Sequence, residues 1–539
     1  MPGGRTDDPG IWLLDIEVGG HVYRYATEAV EVEDVQGREH VYLEGLSEPS
    51  VPFGSVLGVG DASVAVELVT EVDWALLVER GHALERCSAT LRRWYPGRTL
   101  DRAKVVIRGL TEAPSHGAQG EALTLSIVRS MREQTASVPP PQAVVDATTW
   151  PVTALHAIPD NIIGATYTLV IGYPGDDGSA LPVCVVPVPQ AEWVAGTLTN
   201  KVIWLGDSVG TSVRLQRTPS AGGSPVESTV TIAAMDDLLG REVAYVLVAA
   251  DDVDAEYRIG FRSASTWGGG IDYQGSTLRG AGDVIEWVLG QYDGLVDWGR
   301  LAAVKAYLNA WKIDTYINAG VNLWSWLESE VLPLLPVEMR EGSLGVYPAV
   351  IRYDLTARDA VAHLDATEGS GRVQRESPVT TLADIANEIT VEFRPGGESG
   401  STWLARRVLS AEAGFLSGDD ATDTTDDRVL ASRLCGESQK RYGVRSIRIQ
   451  AGAVWDTTTA LLVAQHIAAR QAWPRRVVRY SGTASLEEIE IGDCVTLTDP
   501  ELHLDAAVAI VADTFPEPTG ASVDIILLDH PTTRARATS

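Results

Sequence analysis

The most chemically suggestive stretch of the chain is Gly206-Asp207-Ser208-Val209-Gly210, which fits the GxSxG pattern of a nucleophile elbow. It also opens like the Gly-Asp-Ser block of one class of serine hydrolases. An elbow needs a strand before the serine and a helix after it, so that a strained turn lifts the hydroxyl toward a histidine. Val202–Leu205 supplies the strand, but Thr211–Gln216 alternates apolar and polar residues as a second strand would. No histidine from His363 onward has an aspartate three positions earlier, so the partner block of that hydrolase class is missing. The stretch is therefore expected to be a hairpin turn that uses Gly, Asp and Ser for backbone tolerance and local hydrogen bonds.

Other chemistry is weakly signalled. The run Asp419-Asp420-Ala421-Thr422-Asp423-Thr424-Thr425-Asp426-Asp427 offers several carboxylates to a hard cation, yet it lacks the glycine and terminal glutamate of an EF-hand loop and reads as a solvated loop. Cys87, Cys184, Cys435 and Cys494 are far apart, with no CxxC pair and no histidine at ligand spacing, which predicts four buried thiols rather than a zinc site or a disulfide framework. The nine histidines form no HExxH or His-x-His pattern, and His466 on a helix reads as a core or surface residue. Gly268-Gly269-Gly270 matches neither a Walker nor a Rossmann pattern, and Arg406-Arg407 and Arg475-Arg476 are short basic groups in an acidic setting. No catalytic residue, cofactor or metal is expected.

The elements around these residues point to a scaffold. With 73 Asp and Glu against 43 Lys and Arg, the net charge is -30 and is spread along all 539 residues, a surface that repels phosphate backbones and excludes specific nucleic-acid binding. That length supports about three to four domains. Apolar runs are short, so no membrane-spanning helix is expected. The opening MPGGRTDDPG has no basic region followed by an apolar one, which predicts synthesis in the cytoplasm. Rings with a polar handle dominate, with 15 Trp and 16 Tyr against 5 Phe, a bias that suits interfaces.

Periodicity predicts a mainly β, multidomain chain with some helix, built from antiparallel barrels or sandwiches and a mixed α/β middle. Residues 1–137 read as an N-terminal β-barrel, opening on a hairpin around Gly19-Gly20 and continuing through strands at Ser63–Thr70, Ser88–Tyr95, Lys104–Leu110 and Leu123–Arg129. Val138-Pro139-Pro140-Pro141-Gln142 is a linker, because consecutive prolines cannot pair in a central strand. A β module follows over 143–265. Residues 266–395 are mixed α/β, with Leu301, Val304, Leu308 and Trp311 near helical spacing and Asn322 placed to cap a short helix that Pro333 stops. Residues 396–539 form a C-terminal domain, with Asp456 capping a helix that Pro474 ends and a small antiparallel barrel closing the chain.

The later segments carry a resemblance. Asn387–Phe393, then Ser438 to Tyr442-Gly443-Val444-Arg445, a helix from about Thr457, and Ile491-Gly492-Asp493-Cys494-Val495-Thr496-Leu497 follow one another in an order similar to that of the baseplate hub proteins of tailed bacteriophages. Trp324-Ser325-Trp326-Leu327, Leu332–Pro336 and Gly345-Val346-Tyr347-Pro348 resemble that family's middle region. The likeness covers roughly residues 320–539. Tyr442, Gly443, Arg445, Gly492 and Asp493 are its most characteristic positions, each of which also has a plain reading as a turn or tight bend.

The resemblance implies a homotrimeric virion component of the tail tip. Its barrels would form a short tube joining the sixfold tail to the threefold tip and letting DNA through. It implies a distal tail protein, a tape measure protein and fibre or spike proteins as partners, a structural rather than enzymatic role, and an outward position for 143–265 that suits contact with neighbouring tail proteins or glycans. The chain stops soon after the expected barrel, so a cell-wall-degrading activity or a long fibre would belong to other chains. Three other readings stay in play: a hydrolase acting through Ser208, a host- or carbohydrate-binding tail module, and a sixfold distal tail ring protein.

Overall fold

Ile11–Val18 alternates its side chains between two apolar environments, and this double burial makes it the central strand of the first sheet. The computed structural model describes residues 10–49, 62–69, 72, 74–116, 122–129, 137–138, 168–178, 181–187, 190–195, 198–206, 211–220, 224–236, 242–249, 255–261, 271–317, 321–342, 344–353, 355–367, 372–375, 383–396, 402–410, 429–482, 486, 488–517 and 520–528. The Ser208 turn, Pro139–Gln142, Gly268–Gly270 and the acidic run 419–427 lie outside those residues.

The first sheet comprises β1 (Ile11–Val18), β2 (His21–Ala26), β3 (Val30–Glu33), β4 (Glu39–Glu44), β5 (Ala62–Val69), β6 (Ser88–Trp94), β7 (Lys104–Thr111), β8 (Ser115–His116) and β9 (Ala122–Arg129), with α1 (Trp74–Glu79) between β5 and β6. The order β3-β4-β2-β1-β6-β7-β9-β5 leaves β4 and β5 far apart along the ladder. The chain just after β4 closes that gap, because Val69 N donates to Gly45 O at 2.7 Å and Ser47 N to Glu67 O at 2.9 Å. Gly45 and Leu46 both donate to Ala26 O, a bulge that Gly45 at φ 151° accommodates and that turns the strand toward β5. Trp12, Leu14, Ile16, Tyr25, Leu91 and Ile107 fill the interior. The β3–β4 hairpin covers a smaller core of Ile11, Leu13, Val32, Tyr42 and Trp94 with one face.

The second module holds β10 (Ser137–Val138), β11 (Leu169–Ile171), β12 (Val186–Pro187), β13 (Gln190–Ala195), β14 (Leu198–Gly206), β15 (Ser212–Thr218), β16 (Val226–Thr231), β17 (Ala233–Asp236), β18 (Glu242–Ala249) and β19 (Glu256–Gly260). Two four-stranded sheets form, β12-β19-β15-β16 and β13-β14-β18-β17. This corrects the hairpin expected around Ser208. Both edges of β14 are taken by β13 and β18, so β15 pairs instead with β16 and β19 in the other sheet. The element after the turn is a strand, as the alternation predicts, and not the helix of a nucleophile elbow.

The middle contains β20 (Asp272–Tyr273), β21 (Ser276–Thr277), α2 (Ala281–Leu289), α3 (Trp298–Leu308), β22 (Thr315–Ile317), β23 (Val321–Asn322), α4 (Leu323–Trp326), β24 (Val337–Gly342), β25 (Gly345–Val350), β26 (Ala362–Asp365) and β27 (Arg372–Arg375). Asn322 caps α4 by accepting from Ser325 N at 3.1 Å. Then follow β28 (Glu388–Gly396), β29 (Thr402–Ser410), β30 (Val429–Ala431), α5 (Arg433–Tyr442), β31 (Ser446–Ala451), α6 (Thr457–Gln471), β32 (Val477–Gly482), β33 (Cys494–Asp499), β34 (Leu504–Glu517) and β35 (Gly520–Leu527). Asp456 caps α6 through Thr459 N at 2.7 Å. One continuous core runs from Leu169 and Ile171 through α2, α3 and α4 to β28 and α6, and β28 itself spans the expected boundary at 395/396.

The closing sheet has the order β26-β33-β34-β35-β32-β27. The expectation of a purely antiparallel C-terminal barrel is corrected here. Its two outer strands come from residues 362–375, and β26 runs parallel to β33. An upstream segment can do this because it covers the two edges that the four C-terminal strands would leave open.

Module and middle are clamped together at Asp314, which is fully buried. Its carboxylate accepts from Arg279 Nε at 2.7 Å, from Arg279 Nη2 at 2.9 Å and from Tyr173 N at 2.8 Å. The Arg279 guanidinium lies over the Tyr173 ring. Burial alone would depress the guanidinium pKa, but the Asp314 carboxylate outweighs it and raises it. β11 pairs with β22 beside this clamp.

Candidate functional site

The five family-like residues fall into two structural nodes, one in the four-stranded sheet β30-β29-β28-β31 and one at the start of β33. The first node is built on Asn387, which has no exposed surface. Its Nδ2 donates to Ser438 Oγ at 3.0 Å and to Gly443 O at 2.9 Å, and its Oδ1 accepts from Arg445 N at 2.7 Å. Its own N–H donates to Arg445 O at 2.9 Å, and its carbonyl accepts from Gln439 Nε2 at 2.9 Å. Every polar atom of Asn387 is thus used to hold the α5–β31 connection onto β28. Ser438 Oγ passes the chain of bonds on to Ala472 O at 2.5 Å, just past α6.

Tyr442, Gly443 and Arg445 are the backbone and ring parts of this node. Gly443 at φ 73° ends α5 in a conformation that other residues rarely adopt. The Tyr442 ring meets Trp473 edge-on at 5.4 Å, and the Arg441 guanidinium lies over both rings. The role of Arg445 in the node is carried by its backbone, and its side chain is exposed.

Gly492 and Asp493 form the second node. Gly492 at φ 90° lies against Ala349 and Val350 of β25. The Asp493 carboxylate accepts from Glu490 N at 2.8 Å, and burial raises its pKa against the opposing effects of that bond and of Arg300. Arg300, from the first turn of α3, pairs with Glu490 and lies 4.5 Å over the Tyr347 ring. The bend therefore fixes the closing sheet to the middle of the molecule. Both nodes join elements, and neither presents a nucleophile beside a base.

An open cleft of about 280 Å³ lies between α3, the chain after β25, and α6. Tyr307, Trp311 and Tyr353 line it together with Arg352 and His466. Burial, helped by Arg470, pushes the His466 imidazole down to about 4, so the ring is neutral at pH 7. The lining contains no carboxylate, thiol or serine among the described residues. All four cysteines are buried free thiols, as their spacing predicts. No group of three or more His, Cys, Asp or Glu suited to a metal occurs among the described residues, nor does a helix long and apolar enough to cross a membrane.

Solved structures similar to this chain include two, from a tail protein and from a virion particle. One is the 43 kDa tail protein of prophage MuSo2 from Shewanella oneidensis, at TM-score 0.33 and 11% identity, covering 96% of this chain and 98% of that one. The other comes from the virion of a native gene transfer agent particle, at TM-score 0.34 and 11% identity, over 72% of this chain and 88% of that one. Scores this low do not establish a shared fold. No family model and no curated protein matches the sequence.

Sequence reasoning missed Asn387, Ser438 and Gln439 as a connected group, and it missed α5 altogether. The side chains that α5 turns inward include Cys435 and Ser438, with Gln439 and Tyr442 partly covered, so no apolar stripe marks it as a helix. The available signal was Ser432, whose hydroxyl accepts from Cys435 N at 3.3 Å as an N-cap, together with Gly443 at the far end.

Proposed function

We propose that this chain is a structural hub subunit of a phage tail baseplate, a homotrimer joining the sixfold tail to the threefold tip. The observation that carries this reading is the pairing of two β modules within one chain. The N-terminal barrel and the closing sheet meet where Lys104 Nζ donates to Thr514 Oγ1 at 2.7 Å and Arg98 Nη1 lies 3.5 Å from Glu488 Oε1. Three copies would present six such modules, which matches a sixfold neighbour on one side and a threefold neighbour on the other. The nodes at Asn387 and Asp493 act as rigid joints within that frame. The net charge of -30 suits a wall past which DNA slides without sticking.

Distal tail, tape measure and fibre or spike proteins are the partners this role requires. Light scattering followed by particle imaging of the purified chain tests it. A threefold ring with a central opening is the expected result. A sixfold ring would replace the hub by a distal tail ring, and a monomer that binds glycans would replace it by a host-binding module.

A further inference from the structure

We propose that the edge of β3 in one copy seats against the edge of β31 in a neighbouring copy, so that chains associate head to tail around a closed ring. This inference rests on the trimeric reading and names its contact. Among the described residues, β3 pairs only with β4 and β31 only with β28, so each leaves a row of backbone donors and acceptors open to a further strand.

The two edges have opposite charge. On the outer face of the β3–β4 hairpin, Glu31, Glu33 and Glu39 are exposed, with Glu33 directly opposite Glu39 in the ladder. Like charges in that position repel across a sheet and favour a cationic neighbour. Beside them Val41 and Leu43 are 54% and 57% exposed. At the other edge, Lys440, Arg441 and Arg445 are exposed just before β31, Arg448 is exposed within it, and Val444 is 61% exposed. The Arg448 side chain keeps 67% of its surface open while lying 3.3 Å from Glu392.

A pair of β3 edges would bring glutamates together, and a pair of β31 edges would bring arginines together. Only the mixed pairing places opposite charges and apolar side chains face to face. Because the contact is between different surfaces, an open chain of copies always leaves one edge of each kind unused, and a closed ring uses them all.

The test uses the full chain and three charge variants, followed by mass measurement across a dilution series. Glu31→Lys with Glu33→Lys, and separately Arg445→Glu with Arg448→Glu, should each weaken self-association by about tenfold or more. Combining the four substitutions should restore it. Glu31→Cys with Arg448→Cys, one on each edge strand, should give covalent multimers on mild oxidation, and circular dichroism confirms that each variant is folded. Wild-type association in both charge variants, without cross-linking, overturns the β3–β31 contact and leaves the trimer standing. A wild-type chain that stays monomeric throughout overturns the contact and the trimeric reading together.

Discussion

At the scale of single residues, the molecule relies on polar groups that are buried and fully satisfied. Asn387 is the clearest case, since five hydrogen bonds join it to α5 and to the connection between α5 and β31. Asn387→Ala removes three of them and leaves Gly443 O and Arg445 N without their partner. The expected loss is about 2–4 kcal/mol, read as a lower midpoint in chemical denaturation. His466 gives a pH dependence of defined sign. Its folded pKa of about 4 lies below its ordinary 6.5, so the folded state resists a proton that the unfolded chain accepts. Stability is unaffected by this residue above about pH 6.5 and falls by up to about 3 kcal/mol as the pH drops toward 4. Arg470 on its own helix reinforces that resistance by charge. In His466→Gln the pH dependence between 6.5 and 4 should flatten, and an unchanged slope in denaturation measured across that range would remove His466 as its source.

At the scale of elements, local sequence was most readable where apolar periodicity coincides with burial. Ile11–Val18 and the helix after Asp456 show this, because one pattern of side chains both builds the element and fills the core. It was least readable where pairing is decided at a distance. Nothing near Gly206 reveals that β14 gives both its edges to β13 and β18, and nothing near Ala362 reveals that β26 will run parallel to β33. The Gly443 and Gly492 bends were legible as turns, whereas the polar partners that make them joints lie far away in sequence. Two elements invite direct tests. Asp314→Ala leaves the Arg279 guanidinium buried without its carboxylate and should cost about 3–5 kcal/mol, with proteolysis between the second module and the middle rising ahead of global unfolding. Asp34 holds the β3–β4 turn by accepting from Gln36 N and Arg38 N, both at 2.9 Å. In Asp34→Ala, amide exchange across Val30–Glu44 should quicken while β1 and β6 keep their protection.

At the scale of the whole molecule, the units defined by strands are not independent. The second module draws Trp455, only 1% exposed, into the core made by Val186, Val213, Tyr257 and Phe261. Arg394, at φ 58°, holds the connection carrying that tryptophan by donating from Nε to Trp455 O and from its backbone to Val454 O. On the ribosome, strands that begin at Leu169 therefore emerge long before the ring that completes their interior. Until synthesis passes residue 455, that part of the nascent chain keeps an apolar vacancy open to misassembly. A chain stopped short of that point would lack both a finished interior for its second module and the C-terminal sheet.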